Sequence, residues 1–180
     1  TTDAWVAGTT GTWNANVNAF EFLTTDNVSA DSWDFGTRSK WLYSNLYSDR
    51  NKLVRWKFGS LTTTAVPTLT RDYTITSAYI ARIRTINLYN IGGKDLIFYG
   101  EGAIANGADV CVFDTTTKTE TLLTTDSAIT GDIMNVKVSG IGSNQMYLYV
   151  QSDLGPIYIY KLNAGGTSLG EKVKTITANE

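Results

Sequence analysis

The side chains of this sequence able to do chemistry are chiefly seventeen carboxylates, one thiol and five tryptophans, and histidine is not among them. Without imidazole there is no Ser-His-Asp or Cys-His nucleophile and no His-based zinc site. Each needs a group that exchanges a proton near neutral pH or offers a neutral nitrogen to the metal. No GxxxxGK[ST] loop is present to cradle a phosphate. A glycosidase-type carboxylate pair stays open, because such pairs are assembled in space. The acids, however, fall mainly at turn positions (Asp49, Asp95, Asp126, Asp132, Asp153), where bonds to nearby backbone account for them. Asp26, Asp31 and Asp34 gather near Asn27 as oxygen donors, but their spacing fits no calcium loop and a polar turn is expected. Asn27-Val28-Ser29 matches the acceptor pattern for N-glycosylation. Cys111, between Val110 and Val112, reads as a small hydrophobe buried in a strand and has no second cysteine to pair with. The expectation is a protein that is not an enzyme and has no catalytic, metal or cofactor-binding residues.

Two aromatics stand apart. Trp13, in GTTGTWNAN, and Tyr47, in SNLYSDRN, fall in predicted loops, where an exposed ring stacks on a sugar or anchors a neighbouring subunit. These are the candidate contacts for a protein or glycan partner.

The elements that position them are strands. Residues 94–123 give an apolar run (LIFYG), a Gly/Asn-rich connection, a second run (VCVF), a DTTTK turn and a third run (TETLL). Apolar runs separated by turn formers predict an antiparallel three-strand meander. Further strands are predicted over 68–75, 80–89, 119–124, 133–139, 146–150, 157–162 and 172–177, with turns at Gly92-Gly93 and Gly140-Ile141-Gly142. No stretch keeps a helical period, so almost no helix is expected.

The meander repeats. Trp5 and Trp41, Phe20 and Trp56, and Phe22 and Phe58 match at an offset of 36, placing Trp5, Trp41 and Trp56 in packed strands. An aromatic followed by a charge recurs as AFEF, RWKF, VFDT and IYKL. The predicted fold is a single all-β domain over 1–180 with approximate repeats 3–36, 37–78, 79–130 and 131–178, or a fragment of a longer chain; the alternative is a β-sandwich. In these runs and turns the sequence resembles the β-propeller repeat proteins, with about three and a half to four blades. The resemblance implies blades of antiparallel strands and carries over no catalytic residue. The segment between Phe22 and Trp41 is short for both an outer strand and a new inner one. An incomplete ring would leave sheet edges for a larger propeller, the chain's own termini or another chain to cover.

Charge is segregated along the chain. Residues 1–37 hold five acids and no base, residues 38–84 nine bases and two acids, and the remainder six bases and ten acids. Such blocks steer one copy toward another. Basic residues interleave with aromatics around Trp56, but in LVRWKF strand alternation puts Arg55 and Lys57 on one face and Trp56 and Phe58 on the other, so no nucleic-acid partner is expected. No apolar run is long enough for a membrane span. These observations predict a structural or interaction module of an extracellular assembly such as a virion, presenting loops and edge strands to other subunits, self or hetero. The alternative is a carbohydrate-binding, lectin-like domain.

Overall fold

The computed structural model describes residues 12–14, 19–22, 28–29, 33–35, 41–45, 50–58, 69–101, 108–126, 129, 131–140 and 145–177. Among them every regular element is a strand. A first sheet contains β1 (Thr12–Asn14), β2 (Ala19–Phe22) and β3 (Val28–Ser29). The second holds β4 (Trp33–Phe35), β5 (Trp41–Asn45), β6 (Lys52–Phe58) and β7 (Leu69–Thr76). The third holds β8 (Ile83–Ile91), β9 (Lys94–Glu101), β10 (Ala108–Asp114) and β11 (Thr119–Asp126). The fourth holds β12 (Ile133–Gly140), β13 (Met146–Ser152), β14 (Ile157–Leu162) and β15 (Leu169–Ile176). Every sheet is an antiparallel meander in chain order, and none closes on itself.

The all-β class and the meander over 94–123 are therefore as expected. The strands form four sheets in sequence order. The stretch between Phe22 and Trp41 does hold two strands, the last of the first sheet and the first of the second, because β3 and β4 are only two and three residues long. The repeat is also more regular than the aromatic offsets indicate. β4, β8 and β12 begin at positions 33, 83 and 133, and β7, β11 and β15 end at 76, 126 and 176, an interval of 50 residues at both ends.

Local chemistry explains the turns. Gly92 and Gly93 take φ of 59° and 85° and close the β8–β9 hairpin in two residues. That left-handed pair suits the right-handed twist of the strands, and glycine adopts it without steric cost. In the DTTTK turn the Asp114 carboxylate accepts the N–H groups of Thr116 and Thr117 at 2.8 and 3.1 Å. Burial alone would raise the pKa of Asp114, but those N–H groups and the Lys94 ammonium hold it below the ordinary carboxylate range.

The core lies between sheets. In β9 and β10 the side chains alternate strictly, and both faces of the third sheet are buried. Ile97, Tyr99, Cys111 and Phe113 face Tyr43, Leu53 and Ile75 of the second sheet. Leu96, Phe98, Val110 and Val112 face Val136, Val138, Leu148, Val150 and Tyr160 of the fourth. Contacts between neighbouring sheets concentrate on their leading strands, β4 and β5 against β8, and β8 and β9 against β12. Polar clips join the same strands. Asn45 Nδ2 donates to the Ile83 carbonyl at 2.8 Å, and the Val138 N–H donates to Asn87 Oδ1 at 3.0 Å. Arg84 pairs with Asp132 at 2.7 Å.

Gly100 marks the closest approach of the third and fourth sheets. A Cβ there would lie 2.6 Å from Ile133 Cγ2 and 3.0 Å from Ile133 Cβ, and Ile133 is fully buried. Gly100→Ala should therefore cost about 1–3 kcal/mol, the usual toll of overpacking, read as a lower midpoint in urea at unchanged slope. A neutral result would show that the two sheets slide apart more easily than their packing implies.

Candidate functional site

The densest polar chemistry sits between the second and third sheets, on the face of β9–β11 that also carries Cys111. Glu120 accepts hydrogen bonds from Ser77 Oγ, Tyr99 Oη and, at 2.7 Å, the Ala78 N–H. Ser77 Oγ in turn accepts the Ile80 N–H at 2.9 Å. Burial, reinforced by the bond to Glu120 and its charge, pushes the Tyr99 phenol far above its ordinary range, so it stays a proton donor. The Cys111 thiol is likewise pushed up, first by burial and then by Glu120, Asp109 and Glu101. That is the reverse of what a thiolate nucleophile needs. This cluster ties the 77–82 connection to the third sheet.

Glu101 and Asp109 are the next residues beyond the paired Gly100 and Val110 on β9 and β10, and their carboxyls interact. Glu101 is 3% exposed; Oε1 accepts the Ala81 N–H at 3.1 Å, while Glu101 Oε2 and Asp109 Oδ1 are buried without a partner. Burial first, and Asp109 second, raise Glu101 above the ordinary carboxylate value, against the lowering effect of the Ala81 N–H. A folded-state pKa above the unfolded one favours folding below the unfolded value. That contribution is lost as pH rises through the folded value. Glu101→Gln removes one of two opposed charges and offers an amide donor to Asp109. It should raise stability at pH 7 by up to about 1 kcal/mol and flatten the loss between mildly acidic and neutral pH. Melting temperatures across pH read both, and a Gln variant less stable than the parent at pH 7 would refute the pairing argument.

Among the described residues no group of three or more His, Cys, Asp or Glu side chains is placed to hold a metal ion, and no helix is long and apolar enough to cross a membrane.

Among the described residues, only one face of the fourth sheet packs against another sheet. Register across its four strands sets Lys137, Tyr149, Ile159 and Lys174 in one row, with Ser139, Tyr147 and Lys161 alongside and Asn135, Gln151, Ile157 and Ile176 on the other side. Tyr147, Tyr149, Ile157 and Ile159 are half-buried, and the lysines are exposed. Met134 and Val173 are about half exposed, at 51% and 48%, and each sits where the strand register slips by one residue. Lys161 pairs with Glu171 at the margin. The result is a flat strip of tyrosine and isoleucine edged by lysine. At the outer edge β15 carries Glu171, Lys172 and Lys174, charges that discourage pairing of another strand along its backbone. Sequence alone does not reveal the strip, because the alternation in IYIYKL defines two faces without saying what covers the second.

The two aromatics singled out from the sequence fare differently. Trp13 lies in strand β1, its backbone opposite Phe20, rather than in a loop. β1 ends at Asn14 and β2 begins at Ala19, so the turn formers Asn16 and Asn18 fall between the strands, while Thr12 and Trp13 suit a strand. Tyr47 lies outside the described residues, as do Trp5, Asp26, Asn27 and Asp31 and the Gly142 side of the third predicted turn. Asp34 belongs to β4, opposite Tyr43, and Ser29 to β3, so the acids expected in one polar turn are divided by two strands. Trp41 and Trp56 are in strands as expected, and Trp56 is buried with its Nε1 donating to Ser44 Oγ at 2.8 Å. Cys111 is fully buried in β10. Arg55 pairs with Asp72 and lies over the Tyr73 ring, so this part of the basic block is engaged within its own sheet.

No protein-family model matches the sequence, and no curated protein matches it.

Proposed function

We propose that the chain is a non-enzymatic structural module built of propeller-type blades, acting as a contact platform for partner subunits in an extracellular assembly, with a virion the setting its composition fits best. The observation that carries this reading is the repetition itself. Three four-stranded meanders recur every 50 residues and neighbouring ones meet through their leading strands, which supports a blade reading. Its buried polar groups serve to lock sheet to sheet, as Glu120, Asn45 and Asn87 do. A Thr- and Asn-rich chain with few charges, whose last sheet is half covered, is suited to standing among other subunits.

The test is the mass of the native particle that contains this chain. A complex several times the 19.7 kDa of one copy supports the proposal. A solitary 19.7 kDa species, or one that turns over a substrate, overturns it.

A further inference from the structure

We infer that Glu101 and Asp109 together hold a divalent cation of the calcium type at one end of the third sheet. The site needs only the pairing of β8, β9 and β10, so it stands whether or not the sheets form blades. Glu101, 3% exposed, is the last residue of β9, and the half-buried Asp109 lies near the start of β10. The Ala81 N–H, at 3.1 Å from Oε1, anchors the Glu101 carboxylate. Its other oxygen, Oε2, and Asp109 Oδ1 are both shut off from solvent and have no hydrogen-bond donor. Buried carboxylate oxygens are satisfied as a rule, and two left over by the chain's own donors mark a place for a ligand.

The surroundings select a cation. Asp109 disfavours ionisation of Glu101, and no positive side chain offsets it. Of the two arginines at the start of β8, Arg84 pairs with Asp132 at 2.7 Å, and Arg82 Nε is buried without an acceptor. A water bonded to both orphan oxygens would satisfy their lone pairs but leave two like charges face to face. A divalent ion removes both penalties at once. Calcium suits the pair better than magnesium, because Glu101 is tied to Ala81 and cannot move to complete a strict octahedron. Asp109 is the more exposed of the two, so the rest of the coordination shell opens to water on its side. Two carboxylates and water hold calcium weakly, with a dissociation constant on the order of 0.1–1 mM, the range of extracellular calcium modules.

Thermal melts of the full chain at pH 7 test this, from EDTA alone up to about 10 mM calcium chloride, with potassium chloride keeping the ionic strength constant. The parent should gain several degrees in melting temperature, and the gain should saturate. Glu101→Gln and Asp109→Asn each remove one charge and should lose that gain, with a calcium affinity by calorimetry about tenfold weaker or more. Folding of the variants is not at stake, since in EDTA Glu101→Gln should melt above the parent. The order of the two therefore narrows or crosses as calcium is added. Glu171→Gln, which alters an exposed acid on β15, should keep the parent's response. A parent unmoved by calcium overturns the inference, as does a gain that Glu101→Gln and Asp109→Asn both retain. A parent stabilised by acid but not by calcium overturns it too, and shows that a shared proton relieves the pair.

Discussion

Phe98→Ala is expected to destabilise the protein by about 3–5 kcal/mol, the range for emptying a buried phenylalanine site. Phe98 has no exposed surface and stands in the middle strand pair of the third sheet, opposite Asn87 and Val112. Its ring belongs to the core shared with the fourth sheet and reaches toward the 163–168 turn, where a Cβ on Gly166 would lie 3.5 Å from Phe98 Cζ. Sheets cannot collapse into the gap, since β9 is held by hydrogen bonds on both sides. For a chain of this length the loss corresponds to a fall in melting temperature of roughly 6–20 °C. Circular dichroism at a strand wavelength follows it. Phe98→Leu, which keeps most of the volume, should lose far less. If the alanine variant melts within a degree or two of the parent, the interface between the third and fourth sheets is not close-packed.

The second large effect is expected from Glu120→Ala, at about 3 kcal/mol or more. This carboxylate has three donors: Ser77 Oγ, Tyr99 Oη and the Ala78 N–H. Hydrogen bonds to a charged acceptor contribute about 1.5–3 kcal/mol each, and a donor left buried without a partner costs about 1–3 kcal/mol. Tyr99 is fully buried, so its hydroxyl cannot turn to water. The Ala78 N–H can, because Ala78 is exposed, and this keeps the total below the sum of the parts. The damage should be directional. Glu120 bridges from the third sheet to the residues that leave β7, so the second sheet should gain motion relative to the third while the fourth is untouched. Hydrogen exchange that quickens at Ala78 and Ile80 but not in β13 and β14 is the expected pattern. Uniform quickening over all sheets would mean that Glu120 acts on global stability alone. Glu120→Gln retains one acceptor oxygen and should fall between the parent and the alanine variant.

Much of the architecture can be read from residue order. Glycine pairs, the DTTTK turn and the alternation in MYLYV and IYIYKL are local signals, and strands β8 to β15 lie within a few residues of where those signals put them. The period is harder to see. Large aromatics give 36, which aligns β2 with β6 across the first two sheets, whereas Ser77-Ala78 and Ser127-Ala128 carry the 50-residue spacing in small residues that draw no notice. Those residues follow β7 and β11 along the chain, between one sheet and the next, where chain length is constrained by geometry and side-chain size is not. Tryptophan beside glycine and threonine suggests an exposed loop at Trp13 until the strand pairing places it opposite Phe20. The carboxylate pair Glu101 and Asp109 is invisible in the sequence because the residues are eight apart and become neighbours only through register. The partly open strip on the fourth sheet is invisible for a related reason, since burial depends on which neighbours the fold brings to it.

The even spacing of the sheets bears on how a gene of this design changes length. Cutting out residues 77–126 would splice Thr76 onto Ser127 and leave the connection into β12 with its own Ser-Ala step, in the same phase as before. Duplicating that segment would be equally seamless at both seams. Growth and shrinkage in whole units of 50 residues at this seam thus leave the remaining hairpins intact, whereas a cut that falls inside a strand shifts its register.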